Sequence, residues 1–347
     1  MPTSTTAFAA FIFLVHCVGV LAAGHAVLTV RTSQGAIAWA ISLITLPEFT
    51  LIPYLIFGRS TFAGYVDARR FHNARLREIT LSDDWRRLRD HEAAVVAPQH
   101  ACMQALPRLT GMPCLARNRV RLLVNGAETF EAIFAAIKNA RRAEDWYWAA
   151  REVPQLIVPK VRPDEDMVCQ VVASGPADPQ ETCSLFFVEA IQSARKRLWI
   201  TTPYFIPDEA VFAALRLAVL RGVDVRILIP SRPDHHVVFH ASTLYAYQAI
   251  RAGVKIYRYR PGFLHQKVVL IDDEAAAVGS ANLDNRSFRL NFELMVVTAD
   301  TRFANDVAQM LEADFAEATR IGRDEYERAP PLRRVVMHAA KLFAPIL

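Results

Sequence analysis

Cysteine is scarce in this chain, and the five cysteines follow no pattern. They form no Cys-x-x-Cys pair and no His-Cys spacing of the kind that holds zinc. The sequence therefore predicts neither a structural metal site nor a disulfide framework. An odd, scattered set is typical of thiols that stay reduced in the cytoplasm. The cysteines are Cys17, Cys102, Cys114, Cys169 and Cys183.

Charged side chains are nearly missing from the N-terminal part of the chain. Residues 7–30 contain no Asp, Glu, Lys or Arg, and residues 36–57 contain only Glu48. Each run is long enough to cross a hydrocarbon core of about 30 Å at about 1.5 Å per residue. A cleaved signal peptide is the alternative, but no basic region precedes the first run, and a second run follows directly after RTSQG. The pattern therefore predicts a two-helix transmembrane hairpin within residues 1–60.

The basic residues around these runs predict an orientation. The short loop carries only Arg31, whereas several arginines follow the second run: Arg59, Arg69, Arg70, Arg75 and Arg77. By the positive-inside rule, the rest of the chain lies in the cytoplasm, so we expect a multi-pass protein of the inner (cell) membrane. Glu48 is an ionisable group inside a predicted span. We expect a kink at Pro47 to give its carboxylate a polar partner.

The basic balance of the chain favours an anionic lipid surface as a partner. The net charge is +5 and the isoelectric point is about 9.0. Because the predicted hairpin already places the chain on a membrane, we expect anionic phospholipid rather than nucleic acid. Residues 323–347 form a basic amphipathic tail, which is interpreted as an interfacial helix or as a helix docked on its own domain. Its apolar face contains Leu332, Val335, Val336, Ala339, Leu342 and Phe343.

From residue 167 onward, strand-like and helix-like segments alternate. Apolar, β-branched runs predict strands at 168–175, 198–205, 223–230, 254–260, 267–272 and 291–298. Helical spacing predicts helices at 181–197, 208–221, 242–252 and 302–319. This alternation predicts an α/β sandwich built around a mixed sheet.

The chain also contains an incomplete internal repeat. A predicted strand at 119–124 and a predicted helix at 129–142 repeat the order seen after residue 167, and AAIKNARR (135–142) matches EAIQSARK (189–196). The first copy then stops, because AEDWYWAAREV resembles the end of a module. The predicted organisation is a basic connector (61–118), a truncated first module (119–165) and a complete module (166–322).

The complete module contains one cluster of chemically useful side chains, in GFLHQKVVLIDDEAAAVGSANLD (262–284). His265 and Lys267 share a strand face, so an imidazole and an ammonium are presented together. The imidazole can attack or transfer a proton, and the ammonium can neutralise phosphate oxygens. Asp272 is interpreted as a structural anchor, because its odd offset turns it away from that face.

Three further side chains extend the predicted site. Ser280 and Asn282 follow a tight turn, from which they can donate hydrogen bonds to a phosphate. Glu293 lies on the face of its strand from which a carboxylate could orient His265. Three other histidines (His235, His236 and His240) have no acidic or cysteine partner at ligand spacing, so no metal is predicted there and they are interpreted as loop or pocket-rim residues.

The joint spacing His-x-Lys-x4-Asp-x6-Gly-Ser-x-Asn resembles the motif of the phospholipase D superfamily. The segments TTPYFIPDEA, RGVDVRILIPSRPDHH and VGSANLDNRSFRLNFE, together with the paired N-terminal apolar runs, resemble bacterial cardiolipin synthases. This resemblance implies a phospholipase D-like fold and a phosphatidyl transfer that needs no cofactor or metal. Two phosphatidylglycerols would give cardiolipin and glycerol.

In that family two such motifs face each other, one histidine forming a phosphohistidine and the other protonating the leaving alcohol. The residues His265, Lys267, Asp272, Ser280, Asn282 and Glu293 match the second motif, so the resemblance gives His265 the role of general acid and later base. The first motif, usually that of the nucleophile, has no match here.

Several functions remain compatible with one motif. A homodimer or a full-length relative would complete the site of a phosphatidyltransferase. Alternatively, the chain is a catalytically incomplete membrane protein, regulatory or remnant, or a phospholipase D-type phosphodiesterase or nuclease. An in-frame deletion near Arg142 and Ala143 is a further explanation of the broken repeat.

Overall fold

A computed structural model describes the chain at residues 4–30, 33–58, 92, 105–139, 165–176, 178 and 180–347. Most of the predicted connector and residues 140–164, with the predicted end of the first module, lie outside the described residues. The chain divides into two compact units, Met1–Arg75 and Leu76–Leu347.

The described residues of the N-terminal unit form three helices: α1 (Ser4–Thr29), α2 (Ser33–Thr45) and α3 (Pro47–Phe57). Within the described part of the chain, one helical segment, Phe8–Thr29, is long and apolar enough to cross a membrane, with a mean hydropathy of 2.2. The second predicted span is not one continuous helix. It breaks at Leu46 because Pro47 disfavours helical geometry in the preceding residue and itself starts α3. The transmembrane hairpin therefore stays a prediction.

Polar contacts join the helices of this unit. His16 Nδ1 lies 3.4 Å from Glu48 Oε1, so the carboxylate beside Pro47 has the polar partner expected of a kinked segment. His25 Nδ1 lies 2.7 Å from the Tyr54 hydroxyl oxygen. Gly19 faces α2 so closely that a Cβ there would overlap the carbonyl oxygen of Leu43. Close packing of α1 and α2 therefore requires glycine at this position.

The C-terminal unit is built on a nine-stranded mixed sheet with the order β1-β2-β10-β8-β7-β3-β5-β6-β11. The pairs β3/β5 and β5/β6 are parallel and the other pairs are antiparallel. These strands are β1 (Leu115–Asn118), β2 (Met167–Ser174), β3 (Arg197–Thr201), β5 (Asp224–Pro230), β6 (Lys255–Tyr259), β7 (Val268–Ile271), β8 (Ala275–Gly279), β10 (Glu293–Ala299) and β11 (Ala318–Arg320). A separate parallel pair joins β4 (Phe205–Ile206) to β9 (Leu283–Asp284).

The described helices of this unit are α4 (Leu106–Thr110), α5 (Asn125–Asn139), α6 (Thr182–Ser193), α7 (Glu209–Leu220), α8 (His236–Arg251), α9 (Asn285–Arg289), α10 (Thr301–Ala316), α11 (Asp324–Glu327) and α12 (Pro331–Lys341), followed by a 3-10 turn at Ala344–Ile346. On β3, Leu198 and Ile200 pack with α6 and α7, whereas Trp199 packs with α10 on the opposite face. Successive residues of the strand thus belong to two apolar layers, one on each face of the sheet. The predicted α/β sandwich around a mixed sheet is confirmed.

Several element boundaries differ from the prediction. The helix expected to begin at residue 242 begins at His236, because Val238 and Ala241 are buried against Ile206. The strand expected at 119–124 is irregular, and the edge strand β1 precedes it. The strands β8 and β11 were not predicted: β8 is mostly alanine, which has little β-propensity, but all its alanines are buried in the sheet.

The two helices of the internal repeat differ in burial. In α6, Phe187 is 2% exposed, whereas the matching Ile133 of α5 is 44% exposed. The α5 residues Phe130 and Phe134 are 59% and 64% exposed, and their rings stack with centroids 6.0 Å apart. The apolar residues of α5 therefore have the spacing of a helix that packs on a core, but their side chains are exposed.

Candidate functional site

His265 and Lys267 lie in the loop that leads into β7. The strand begins at Val268, so the two residues are not on a regular strand as predicted. The Lys267 ammonium instead turns back and donates to the His265 backbone carbonyl at 2.7 Å. The imidazole is exposed and stacks on Phe263, with ring centroids 5.2 Å apart. The loop nevertheless keeps the imidazole and the ammonium together.

The surroundings set the charge states of these two groups. Partial burial, and next the positive charge of Lys267, lower the pKa of His265 below its ordinary value of 6.5, and Asp234 opposes this shift. Burial lowers the pKa of Lys267 to about 8, although the nearby carboxylates of Glu293, Asp284 and Asp234 favour the charged form. At neutral pH the site therefore presents a neutral imidazole beside a cation, an arrangement that suits an anionic phosphodiester.

Ser280 and Asn282 follow β8, where the chain passes very close to β10. A Cβ at Gly279 would overlap the carbonyl oxygen of Leu294, so this turn requires glycine. The backbone N–H of Asn282 donates to the Ser287 hydroxyl at 3.0 Å. The Asn282 side-chain oxygen is buried and has no hydrogen-bond partner among the residues that the structure describes. A buried amide in this condition has hydrogen-bonding capacity left for a ligand or water.

Glu293 is the centre of a buried hydrogen-bond cluster. Its carboxylate accepts three hydrogen bonds, from the Ser280 hydroxyl at 2.5 Å, the Ser287 hydroxyl at 2.9 Å and the Asn291 amide at 3.1 Å. Among the described residues, these three side chains are the hydrogen-bond donors to Glu293, and His265 is not one of them. Glu293 therefore fixes the loop that carries Ser280 and Asn282, and its predicted role in orienting His265 stays a prediction.

Asp272 lies at the far end of β7 from Lys267. Its backbone is left-handed, with φ of 52°. Its carboxylate accepts three backbone hydrogen bonds, from Lys196 at 2.7 Å and from Arg195 and Arg197, each at 2.9 Å. This is the geometry of a structural anchor, which ties the end of β7 to the start of β3.

The sequence did not single out two acidic residues beside the predicted site. Asp234 accepts a hydrogen bond from the Tyr204 hydroxyl at 2.5 Å, and its charge favours protonation of both His265 and Lys267. Asp284 is 2% exposed and caps α9 by accepting from the Ser287 backbone N–H at 2.7 Å. Burial is the main cause that raises the pKa of Asp284. An N-cap pattern before Ser287 is the one sequence signal that marks Asp284.

The three additional histidines lie at the start of α8. His235 precedes the helix, and His236 and His240 belong to its first turns. Burial lowers the pKa of His240, and the positive charge of Arg333 adds to this shift. The described residues contain no group of three or more His, Cys, Asp or Glu side chains arranged to hold a metal ion.

Two solved structures show distant likenesses to this chain. Phosphatidylserine synthase from Haemophilus influenzae Rd KW20 is 16% identical, with a TM-score of 0.46, over 66% of this chain and 56% of that chain. Nuc from Salmonella typhimurium, a phospholipase D family member, is 22% identical, with a TM-score of 0.39, over 44% of this chain and 97% of that chain.

Comparison with families and characterised sequences is more specific. The family model described as cardiolipin synthase, PLD-like domain, matches residues 187–317. Cardiolipin synthase A from Pseudomonas fluorescens (strain Pf-5) is 43% identical over an alignment of 471 residues, which spans 98% of each chain. Cardiolipin synthase A from Pseudomonas putida (strain W619) is 42% identical, spanning 96% of this chain and 97% of the relative.

The alignment with the Pseudomonas fluorescens relative is longer than this chain. Its 471 residues exceed the 347 of this chain by 124, so at least that many aligned positions have no residue here. The likeness nevertheless extends from end to end. The identity and coverage place the chain plainly: it belongs to the cardiolipin synthase family of phospholipase D-like proteins.

Proposed function

We propose that this chain is a phosphatidyltransferase that acts on phosphatidylglycerol through a phosphohistidine, with its single motif completed by a second chain. The observation that carries the proposal is the pairing of an exposed imidazole with a cation in one loop. The Lys267 ammonium, 2.7 Å from the His265 carbonyl, stands where it can neutralise a phosphodiester that His265 approaches.

The substrate class follows from the family and from the charge of the loop. Phosphatidylglycerol carries one phosphodiester anion, which Lys267 can neutralise. The Asn282 side-chain oxygen, which is buried and unpartnered in the described structure, lies in the neighbouring turn, where it can accept a hydrogen bond from a headgroup hydroxyl. Ser280 is already engaged with Glu293, so its contribution is to hold this turn in place.

The proposed reaction needs two imidazoles. A neutral imidazole nitrogen attacks phosphorus and forms a P–N bond, the P–O bond to glycerol breaks, and a protonated second imidazole gives its proton to the leaving glycerol oxygen. A hydroxyl of a second phosphatidylglycerol then loses its proton to that second imidazole and attacks phosphorus, so that the P–N bond breaks and cardiolipin forms. His265 supplies one imidazole of the pair.

Two observations support completion by a second chain. The alignment with relatives leaves at least 124 positions without a residue here. The apolar face of α5, with Phe134 64% exposed, matches a helix that is buried in the complete module. A second copy would supply another His265 across a two-fold interface, and a full-length relative would supply its own first motif.

We also propose that the N-terminal unit anchors the chain in the inner membrane as a hairpin, with the sheet unit in the cytoplasm. The apolar segment Phe8–Thr29 and the arginines after residue 58 support this placement. The lipid substrate is then delivered by the same membrane that holds the protein.

Expression in cells that lack cardiolipin synthases tests the activity, with lipids measured by mass spectrometry and a His265→Ala chain as the control. We expect cardiolipin in cells with the native chain and none with the variant. If the folded, membrane-bound native chain also makes none, the second arm is co-expression with a full-length relative whose second-motif histidine is replaced, so that only its first motif is intact. Cardiolipin restored only in that arm shows completion by a relative, and its absence there rejects the transferase in favour of an incomplete, regulatory protein.

A mixing experiment distinguishes self-pairing. Native and His265→Ala chains are co-reconstituted at a fixed total amount. If the site is made from two copies, the remaining activity should be proportional to the square of the native fraction. If the site is made within one chain, the remaining activity should be directly proportional to that fraction, and this result would reject self-pairing.

A further inference from the structure

The last helix, α12, presents two different faces. Met337 is fully buried and Ala340 is 6% exposed, so one side packs against the protein. The adjacent side contains large apolar residues that are exposed: Leu332 at 75%, Val335 at 63%, Leu342 at 81% and Phe343 at 54%. We define these four residues, with Val336, as the α12 stripe. The spacing of Leu332, Val335 and Val336 places them on one face of α12, and Leu342 and Phe343 follow in the turn directly after the helix ends at Lys341.

We propose that the α12 stripe is an interfacial membrane-docking surface, which holds the mouth of the catalytic site against an anionic lipid surface. The choice of lipid as the occupant rests on the proposed phosphatidyltransferase function. The docking itself is a separate property and can be measured without turnover.

The buried side of α12 fixes the helix on the sheet unit. Ala340 and Ala344 pack with Ile206 and with Val238 and Ala241 of α8. The Tyr326 hydroxyl contacts His338 Nε2 at 2.9 Å, and Arg334 donates to the carbonyl oxygen of Ala329 at 3.0 Å. Because the helix is held in this way, the stripe is a fixed part of the surface rather than a free tail.

The same packing brings the stripe beside the candidate site. Ile206 belongs to β4, which pairs with β9, and β9 begins directly after Asn282. The Arg286 backbone N–H, at the start of α9, donates to the carbonyl oxygen of Leu347 at 2.8 Å. The segment that carries the stripe is thus in contact with the elements that immediately follow the Ser280–Asn282 turn.

The charge around the stripe matches an anionic surface. Residues 328–347 contain four basic residues and no acidic residue. Arg333 and Arg328 are exposed, and Lys341 is half-buried with its ammonium 5.1 Å above the Tyr245 ring. A helix with an apolar stripe and basic flanks lies in the headgroup region, with its apolar face about 5–10 Å deep. Apolar side chains alone would equally suit a protein partner, but the net positive charge of the tail, which persists when Asp324, Glu325 and Glu327 of α11 are counted, favours anionic lipid.

The test uses the full chain in proteoliposomes, with an environment-sensitive fluorophore on Leu342→Cys. Leu220→Cys is the matched control, because Leu220 is 80% exposed against 81% for Leu342. Leu220 ends α7, next to the start of β5, and so lies at the opposite end of the strands from the site. Cys17 and Cys102 are replaced by alanine in both variants, and that background alone gives the labelling blank.

We expect a blue-shifted emission and quenching by brominated lipid at position 342, and neither at position 220. Replacing phosphatidylglycerol in the vesicles by phosphatidylcholine removes the negative surface charge, and raising the salt concentration screens it. Both changes should reduce the blue shift and the quenching at position 342. A label on Val335→Cys repeats the test if Leu342→Cys fails to fold.

Three results would overturn the proposal. In the first, the label at 342 stays in water, as the label at 220 does. In the second, both labels are equally quenched, which shows no distinct surface. In the third, the shift at 342 is insensitive to brominated lipid but disappears on dilution of the protein in the bilayer, which shows a second copy covering the stripe. None of these readouts depends on turnover, so a failed docking surface is distinguishable from a failed enzyme.

Discussion

The Lys267 ammonium donates to the backbone carbonyl of His265 at 2.7 Å, so one loop carries both the imidazole and its neighbouring cation. The two groups therefore influence each other's protonation. The positive charge of Lys267 lowers the pKa of His265, and the pKa of Lys267 is itself reduced to about 8. The proposed activity should therefore be sensitive to pH on both sides of neutrality.

We predict a bell-shaped dependence of kcat/KM on pH. In a site made from two copies, one His265 imidazole must be neutral to attack, so activity is lost as the pH falls below 6.5 through its lowered pKa. As the pH rises, the second imidazole loses the proton that it gives to the leaving glycerol, and above about pH 8 Lys267 also loses its proton and no longer neutralises the phosphodiester, so activity falls again. Initial rates on phosphatidylglycerol vesicles from pH 5 to 10 measure both limbs.

Lys267→Arg is the control for the alkaline limb. Arginine keeps its charge throughout this range, so the part of the alkaline limb that Lys267 causes near pH 8 should disappear, even if the absolute rate falls because of the different geometry. An alkaline limb that stays near pH 8 in this variant would assign the limb to another group.

We predict that Asp272→Asn lowers the free energy of unfolding by about 1–3 kcal/mol, because an amide cannot replace all three accepted backbone hydrogen bonds. Asparagine tolerates the left-handed backbone, so the variant tests the hydrogen bonds rather than φ. The neighbouring Asp273→Asn removes only an ion pair with Arg197, in which the Asp273 side chain is 66% exposed, and should cost less than about 1 kcal/mol. Thermal unfolding in detergent compares them, and equal losses would contradict the anchor role.

We predict that Glu293→Gln lowers activity about 100-fold with little loss of fold, because its three donors would no longer hold the Ser280–Asn282 turn in place. Asp306→Asn, at an exposed position of α10, is the matched control and should keep native rates. The measurement is kcat and KM on vesicles, beside circular dichroism. Native activity in Glu293→Gln would show that the cluster is not needed for the site.

We predict that Gly279→Ala destabilises the protein by about 1–3 kcal/mol, because the new Cβ forces β8 away from β10. Gly262→Ala, whose Cβ meets nothing within 4 Å, is the control in the loop before His265 and should be neutral. Thermal unfolding of both variants measures the difference. A stable Gly279→Ala protein would mean that the two strands separate there at little cost.

The alternation of strands and helices was predictable because each element carries its own period. The segment VDVRILIP forms β5 at Asp224–Pro230, and the helix predicted at 302–319 is α10 at Thr301–Ala316. The strand β8 was not predictable from local preference, because alanine enters a sheet only where the neighbouring strands leave no room for larger side chains. Its place is decided by long-range packing.

The sequence predicted the members of the candidate site but not the hydrogen bonds among them. The motif spacing indicated His265, Lys267 and Asn282, but it did not show that Lys267 turns back on the His265 carbonyl. Nor did it show that the Glu293 carboxylate is occupied by Ser280, Ser287 and Asn291. Such hydrogen bonds depend on how loops from distant parts of the sequence meet, and no local periodicity encodes that meeting.

The exposed face of α5 has a consequence for the life of the protein in a cell. Phe130, Ile133 and Phe134 present to water the kind of surface that chaperones and proteases recognise on incompletely assembled subunits. The abundance of this chain should therefore follow that of whatever covers the helix, falling when the chain is made alone and rising when its partner is co-produced. Pulse-chase turnover of the native chain, beside a chain with polar residues at these three positions, would measure that dependence.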